Sequence, residues 1–243
     1  MVESARISTR RRAARKPRDA YHHGDLRRAL VDAALALVAE RGPVDWTLRE
    51  VARRVGVSHN APYRHFASRE ALLAAVAEEG FRAFVRIIEE ADARAPREAE
   101  ARLRGCFATY LRFALENPAA LRLMFSHELA DKSPYPALRQ AALAAYAKLR
   151  EMMVLAQQEG VLRPGDPDTA ALATWSMAHG LSMLVLEGQV PAAAEPRKRD
   201  ALVEQMFEAT LRGIGAPRPR RAARAGTSRA PRASAAGTRR SRS

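Results

Sequence analysis

Apolar residues recur at spacings of three and four along most of the chain, and strand-like alternation is scarce. No internal repeat of about 20 to 50 residues is evident either. This pattern predicts an all-α protein. Its first amphipathic helix begins near Asp25 and ends at Gly42, where Pro43 prevents continuation. The apolar face of that helix consists of Leu26, Leu30, Ala33, Ala34, Leu37 and Val38.

A second helix is predicted to begin after Thr47. Thr47 and Glu50 have the spacing of a reciprocal capping box, and Trp46, which precedes the cap, can pack against Val51. Gly56 ends the helix because glycine adopts positive φ without steric cost. One face is apolar (Leu48, Val51, Ala52 and Val55), and Arg49, Arg53 and Arg54 face outward.

A third helix is predicted from Ser58, a good N-cap residue, with Pro62 tolerated in its first turn. Tyr63 and Phe66 are expected to turn inward from it. Two helices separated by about four residues that include a glycine form a helix-turn-helix pattern. In such a motif the preceding helix supports the recognition helix, whose first residues face a DNA major groove.

Three polar side chains of this third helix, those of His59, Asn60 and Arg64, offer hydrogen bonds to base edges or phosphates. The alternative is a surface helical hairpin with a polar face, since isolated helix-turn-helix matches are often false. The capping box, the turn glycine, the second capping residue and the adjacent basic segment agree with one another. Their agreement favours DNA binding.

Positive charge is concentrated at the two ends of the chain, which carries a formal net charge of +14 from 41 basic and 27 acidic residues. Residues 1–18 hold seven basic residues and one acid, and residues 216–243 hold nine arginines and no acid. That leaves 25 basic and 26 acidic residues between Asp19 and Gly215. We expect two disordered basic arms that neutralise phosphates; a coding bias toward Arg and Ala is the alternative.

The composition, 47% hydrophobic and 28% charged, suits one or two folded domains. We expect no membrane span, on the grounds that no apolar run reaches roughly 18 uncharged residues. No apolar secretory signal accompanies the N-terminal arginines, so a cytoplasmic location is expected. The single cysteine, Cys106, lies in an apolar helical pattern and is interpreted as a small core residue.

Six further helices are predicted in the C-terminal half, separated by prolines and glycines. The segment TWSMAHGLSMLVLEG is the most distinctive. There Trp175 and His179 stand four residues apart on one helical face, and Gly180 permits another helix to approach. The six predicted ranges are 69–93, 97–116, 118–129, 135–159, 167–187 and 197–213.

Three stretches are more specific than the general pattern: TLREVARRVGVS, then YRHF, then SREALL, which opens a long fourth helix. Together with the first helix, these stretches span residues from His23 to about Phe81. This region closely resembles the DNA-binding domain of TetR-family transcriptional regulators. The resemblance implies an all-α dimer. Its three-helix helix-turn-helix domain occupies residues 19–67 and its six-helix ligand-binding and dimerisation domain residues 68–215, between basic arms at 1–18 and 216–243.

The resemblance also implies which residues contact DNA. His59, Asn60 and Arg64 reach base edges, and Tyr63 and His65 contact phosphates. Phe66 belongs to the core, and the fourth helix contributes an arginine where the family commonly has a lysine. The full set of DNA-binding candidates is Thr47, Arg49, Ser58, His59, Asn60, Tyr63, Arg64, His65 and Arg69.

The pattern Trp-x-x-x-His-Gly resembles a C-terminal domain found in one branch of the same family. We expect a cavity for an apolar or aromatic effector with one polar group; packing in the core or a dimer interface is the alternative for each lining residue. The ligand-binding candidates are Phe107, Tyr110, Met124, Phe125, Trp175 and His179, with Met177 nearby. The last two helices are expected to form an isologous dimer interface through Leu181, Leu184, Val185, Leu202, Met206, Phe207 and Leu211.

The predicted function is a ligand-responsive transcriptional regulator: a repressor that binds a near-palindromic operator as a homodimer and is released by a small-molecule effector. A nonspecific architectural protein that binds DNA through its arms is the alternative. An enzyme is not expected, because nothing orients His127 or His179 as a base for Cys106. No cofactor is expected, and His22 and His23 lack the further ligands of a metal site.

Overall fold

The computed structural model of the protein describes residues 23–214. The predicted arms at residues 1–18 and 216–243 lie outside that range, as does His22. Within it the regular structure consists of eight α helices and three short 3-10 helices, Pro62–Arg64, His127–Leu129 and Pro191–Ala194. The α helices are α1 (His23–Arg41), α2 (Leu48–Val55), α3 (Arg69–Arg94), α4 (Ala99–Glu116), α5 (Pro118–Met124), α6 (Pro136–Gln158), α7 (Pro167–Leu186) and α8 (Pro196–Ile214).

The all-α prediction is confirmed, and the helices expected in the C-terminal half match α3 to α8 within two residues, with one exception. The stretch predicted as one helix over 118–129 is divided into α5 and a 3-10 helix. The break occurs because Ser126 is extended, with φ −71° and ψ 156°. An extended residue cannot continue the hydrogen-bond ladder of an α helix.

The predicted third helix is much shorter than expected, since only Pro62–Arg64 is helical and its geometry is that of a 3-10 helix. Pro62 has no N–H group and therefore cannot donate the α-helical bond to the carbonyl of Ser58. The backbone N–H of Ala61 donates to that carbonyl instead, at 3.0 Å. Consecutive turns thus replace most of the helix between Ser58 and Phe66.

The start and end of α2 follow the predicted local chemistry. The hydroxyl of Thr47 accepts from the backbone N–H of Glu50 at 3.3 Å, and the Glu50 carboxylate accepts from the Thr47 N–H at 2.9 Å. Gly56 has a φ of 81°, and its N–H donates to the carbonyls of Ala52 and Arg53. The capping box and the glycine stop are therefore both confirmed, and they set the position of the turn that follows α2.

Helix α3 connects the N-terminal helices to the rest of the molecule. It has 26 residues, about 39 Å at roughly 1.5 Å per residue, and it packs against α1, α4, α5 and α6. A Cβ built on Gly80 would lie 2.8 Å from the sulfur of Met124, so the glycine allows α5 to lie close against α3. The long helix is consequently in contact with both parts of the fold.

The expectation that no apolar run is long enough to span a membrane is wrong for α7. Residues 169–186 carry no Asp, Glu, Lys or Arg, and the helix has the length and composition of a span. One side of the helix packs against α4, α6 and α8 and buries Ala171, Ala178 and Ser182, while Leu172 and Leu184 are exposed. The Ser182 hydroxyl donates to the carbonyl of Ala178 at 2.7 Å, a bond internal to the helix.

Candidate nucleic-acid interface and effector cavity

The turn after α2 presents polar side chains to solvent. His59, Asn60 and Arg64 are exposed, and none of their side chains hydrogen-bonds or ion-pairs with a residue of the described range. Tyr63 is 52% exposed, so the expectation that it turns inward is wrong. The polar groups of this turn are therefore available to an outside partner.

Two buried residues hold this turn against the fold. Pro62 is buried under it, and Phe66 is 4% exposed and belongs to the core formed by α1, α2 and α3. The guanidinium of Arg27 on α1 lies 5.4 Å from the centroid of the Phe66 ring. His65 is half-buried, with its ring 6.5 Å from that of Phe66. Packing, rather than a long helix, fixes the direction of the exposed side chains.

The basic residues of α2 fall into two groups. Arg49 and Arg53 are exposed and have no carboxylate partner among residues 26–213. Arg54 is instead ion-paired with Glu40 of α1, and Arg41 of α1 donates to Glu50 at 2.9 Å. The hydrogen bond from Arg41 lowers the pKa of the Glu50 carboxyl, which keeps the capping group charged. The unpaired arginines lie on the same short helix as the exposed Thr47 cap.

Arg69 and Ser68, at the start of α3, have mainly internal partners. One Arg69 nitrogen, Nη1, donates to the carbonyl of Val44 at 2.5 Å, and Nε and Nη2 donate to Glu70 at 3.2 and 3.1 Å. The Ser68 hydroxyl caps α3 by accepting from the N–H of Ala71. Arg69 therefore ties α3 to the loop that precedes α2. No sequence signal indicated this bond, because Val44 and Arg69 are 25 positions apart.

A cavity of about 330 Å³ lies in the C-terminal part of the molecule, among α3, α4, α6 and α7. Of the six residues predicted to line an effector site, five border it and His179 does not. The cavity also has lining residues that the sequence analysis did not single out, mainly on α3 and α6. The five bordering candidates are Phe107, Tyr110, Met124, Phe125 and Trp175.

Aromatic contacts bring His179 close to the cavity although it does not border it. Its ring centroid lies 4.8 Å from that of Phe125 and 6.2 Å from that of Trp175. Its Nδ1 atom is 2.8 Å from the phenol oxygen of Tyr110. Burial lowers the pKa of His179 and raises the pKa of Tyr110, so both groups are held in their neutral forms. Tyr110 borders the cavity and His179 lies behind it, so the pair provides hydrogen-bonding atoms within a mostly apolar wall.

Cys106 borders the same cavity on α4. Burial raises the pKa of its thiol to about 12. A thiol with such a pKa is protonated at neutral pH, and the thiolate is the nucleophilic form. Cys106 is half-buried and packs against the hydrophobic core, which agrees with its interpretation as a core residue. Across residues 26–213, no three His, Cys, Asp or Glu side chains come together in a way that could hold a metal ion.

Two family models match the chain, one in each part. Residues 30–76 match the model for bacterial regulatory proteins of the tetR family, and residues 103–210 match the model for the tetracyclin repressor-like C-terminal domain. The first match contains α2 and the exposed turn. The second contains most of the cavity wall.

Solved structures agree with these matches. A Rhodococcus sp. RHA1 protein of unknown function is 33% identical, with 81% of this chain and 98% of that chain covered and a TM-score of 0.70. A bacterial regulatory protein in the tetR family, also from Rhodococcus RHA1, is 24% identical, with coverages of 79% and 98% and a TM-score of 0.63. The fatty acid degradation regulator FadR from Bacillus halodurans shares the fold at 18% identity, with coverages of 79% and 97% and a TM-score of 0.64.

The proteins of this family are DNA-binding regulators and not enzymes. The exposed polar turn after a capped helix, the helical C-terminal part and both model matches point the same way. The chain belongs to the TetR family of transcriptional regulators.

Proposed function

We propose that this regulator is a cytoplasmic repressor that binds a near-palindromic operator as a homodimer and leaves the DNA when a small-molecule effector occupies the cavity. The main support for the proposal is that α3 extends from the DNA-binding region to the cavity. Its first residue, Arg69, is bonded to the loop before α2, and its middle residues Phe81, Phe84 and Val85 form one side of the cavity. One rigid helix is therefore in contact with both sites.

We assign DNA contacts to the exposed turn and its surroundings. His59, Asn60 and Arg64 face base edges, because these side chains are exposed and have no internal partner in the described range. Phosphate contacts are assigned to Tyr63, His65 and Thr47, together with the remaining candidates Arg49, Ser58 and Arg69. The basic arms at residues 1–18 and 216–243 add affinity that does not depend on sequence and that weakens with salt.

Release follows from a change in the position of α3. An effector that enlarges or reshapes the cavity pushes on Phe81 and Phe84, and the movement passes along the helix to Arg69 and the turn. The effector shifts the equilibrium only as far as it binds the two positions of the helix with different affinity. The DNA-bound form is accordingly the form to which the effector binds less tightly.

We place the dimer interface on the outward face of α7 with α8 beside it. Leu172 and Leu184 are 53% and 50% exposed on α7 and give its outward face apolar surface. Gly180 lies between them, and a Cβ built on it would meet nothing within 4 Å. An open glycine on an exposed helix face suits the close approach of the same helix from a second copy.

Three of the residues expected to form this interface are not available for it. Leu181, Phe207 and Leu211 are 6%, 2% and 8% exposed, because they pack in the core of their own protomer. Phe207, for example, lies against Phe107 of α4 with ring centroids 5.8 Å apart. Leu184 remains available, and Leu172 is an exposed position that the sequence analysis had not included.

Fluorescence anisotropy with labelled DNA from upstream of the gene tests the proposal. At moderate salt the full chain should prefer this DNA to a scrambled duplex of the same composition. Equal binding to both duplexes contradicts a specific repressor. In the alternative architectural role, deletion of residues 1–18 and 216–243 abolishes binding, whereas a repressor without its arms keeps its preference at lower affinity.

A further inference from the structure

The charged side chains on the cavity wall all have the same sign. Three cationic residues border the cavity, Lys132, Arg139 and Lys148, and no Asp or Glu does. The other titratable residues on the wall, Cys106, Tyr110 and Tyr146, are neutral in their ordinary protonated forms. The wall is thus an apolar surface with positive charge and no opposing carboxylate of its own.

Two of the cations are near the start of α6: Lys132 lies in the turn before Pro136, and Arg139 lies in the first helical turn. The backbone N–H of Tyr135 donates to the carbonyl of Lys132 at 3.0 Å, and that of Arg139 donates to the carbonyl of Tyr135 at 3.0 Å. Within the described residues neither side chain is ion-paired. The Lys132 ammonium is held by the carbonyl of Leu129, at 2.9 Å, and Arg139 is exposed. This end of the cavity carries uncompensated positive charge.

The third cation differs because it already has anionic partners. Lys148 stands nine residues after Arg139, roughly 13 Å farther along α6 at about 1.5 Å per residue. Its ammonium lies 3.4 Å from a carboxylate oxygen of Asp92 and 3.4 Å from one of Glu151. Asp92 also binds the guanidinium of Arg102 with two hydrogen bonds, of 2.6 and 2.8 Å. Attraction for an anion is therefore concentrated at the Lys132 and Arg139 end.

We infer that the effector is an elongated apolar molecule with one anionic group at its end, such as a medium-chain carboxylate. Its apolar part lies along α6 among Phe84, Phe107 and Trp175, and its anionic group meets Lys132 and Arg139. Charge-assisted hydrogen bonds to Lys and Arg are the strongest that a carboxylate makes, and a volume of about 330 Å³ lies at the small end of ligand sites. The inference rests on the proposed function and specifies the class of its effector.

Trp175 provides the measurement, because it borders the cavity and the chain has only one other tryptophan, Trp46. The full-length Trp46→Phe variant is titrated with decanoate, decanol and decylamine while Trp175 fluorescence is recorded. We expect decanoate to bind most tightly and decylamine least tightly. Calorimetric titration of the unaltered chain gives the same ranking and does not depend on the stability of the tryptophan variant.

The double variant Lys132→Gln/Arg139→Gln identifies the cations responsible. It should weaken decanoate binding by about tenfold or more, the effect of losing charge-assisted bonds, and leave decanol binding within about twofold because the apolar contacts remain. Arg97→Gln/Arg197→Gln is the control, since both arginines are exposed, neither borders the cavity and the net charge changes equally. The control should bind decanoate as the unaltered chain does, which separates an effect of the cavity cations from an effect of net charge.

Three results would each overturn the inference. The first is equal affinity for decanoate and decanol, and the second is no binding of decanoate, decanol or decylamine. The third is an undiminished decanoate affinity in the Lys132→Gln/Arg139→Gln variant. Operator binding by the same preparations is measured in parallel. If operator preference persists in any of these cases, the proposed regulatory function stands and only this class of effector is excluded.

Discussion

Tyr110 of α4 and His179 of α7 are joined by a hydrogen bond of 2.8 Å between the phenol oxygen and Nδ1. The same imidazole lies edge-on to the ring of Phe125, with centroids 4.8 Å apart. The bond thus connects two helices at a point where an aromatic wall faces the cavity. It also explains why a histidine is accommodated in this apolar environment, since a half-buried imidazole needs a polar partner.

Removal of the phenol oxygen should weaken this connection. Tyr110→Phe keeps the ring but leaves Nδ1 of His179 without its partner, and we expect the free energy of unfolding to fall by about 1 kcal/mol. Urea denaturation followed by circular dichroism measures the change. Tyr63→Phe is the control, because Tyr63 is exposed and its hydroxyl has no partner within the described range. An equal effect of both substitutions would contradict a specific role for the Tyr110 bond.

Protonation of His179 should make stability depend on pH. Burial lowers the folded-state pKa of this histidine below the ordinary value of 6.5, so on acidification the unfolded chain takes up a proton before the folded protein does. The free energy of unfolding therefore contains a contribution that is complete at pH values above about 6.5 and is lost as the pH falls toward the folded pKa. In His179→Gln we expect a smaller decrease in stability between about pH 7.5 and pH 5.5. Denaturation series at both pH values check this, and the same slope in both proteins contradicts it.

The ion pairs of Asp92 should contribute more to stability than an exposed pair on the same helix. The Asp92 side chain is 10% exposed and binds Arg102 of α4 and Lys148 of α6, so Asp92→Asn should lower the free energy of unfolding by about 1–3 kcal/mol. Glu90→Gln, which breaks only the exposed pair with Arg94, should cost about 0.5 kcal/mol or less.

The difference between Asp92→Asn and the unaltered chain should also depend on pH. The hydrogen bonds from Arg102 lower the pKa of the Asp92 carboxyl below 3.8 in the folded state. The stabilisation is thus complete above that value and disappears as the pH falls through the folded pKa. Denaturation at successively lower pH values measures it. A difference that persists in strong acid would rule out the ion pairs as its source.

Arg64 should matter for DNA binding and not for folding. Arg64→Ala is expected to weaken operator binding by about 1–3 kcal/mol while relaxing the preference for one base position. Thermal unfolding should be unchanged, because the side chain is exposed and unpaired among the described residues. Arg86→Ala, another exposed arginine but on α3, is the matched control for charge. Anisotropy titrations with the operator and with single-base variants of it measure both effects. Identical losses of operator affinity in Arg64→Ala and Arg86→Ala would exclude a base contact by Arg64.

The glycines of α4 and α7 allow a test of the dimer interface. Gly105 and Gly180 both lie within helices, and a Cβ on either would meet nothing within 4 Å in the protomer. If α7 meets its counterpart at Gly180, Gly180→Leu should raise the dimer dissociation constant by about 100-fold or more, because overpacking a helix crossing costs about 1–3 kcal/mol per side. Gly105→Leu should leave it unchanged. Sedimentation velocity measures both, and an intact dimer in Gly180→Leu would move the interface elsewhere.

The helices and their ends were predictable because their signals are local. The reciprocal bonds of Thr47 and Glu50 and the positive φ of Gly56 depend on residues within four positions of each other. Helices α3, α4, α6 and α7 each end two residues before a proline or glycine, which is also a local signal. The length of the third helix was overestimated, since the effect of Pro62 on the carbonyl of Ser58 competes with a good capping signal.

The sequence by itself determined the all-α character, the capped helix before an exposed polar turn and the aromatic residues of α4 and α7, because periodicity and capping are set by near neighbours. Only the tertiary structure decided that Arg69 binds the carbonyl of Val44, that Tyr110 meets His179, and that Lys132 and Arg139 stand at one end of a cavity whose other end is neutralised by Asp92. The first two bonds join residues 25 and 69 positions apart, and the Asp92–Lys148 ion pair joins α3 to α6. Such contacts depend on how the helices pack, and no pattern within one helix contains that information.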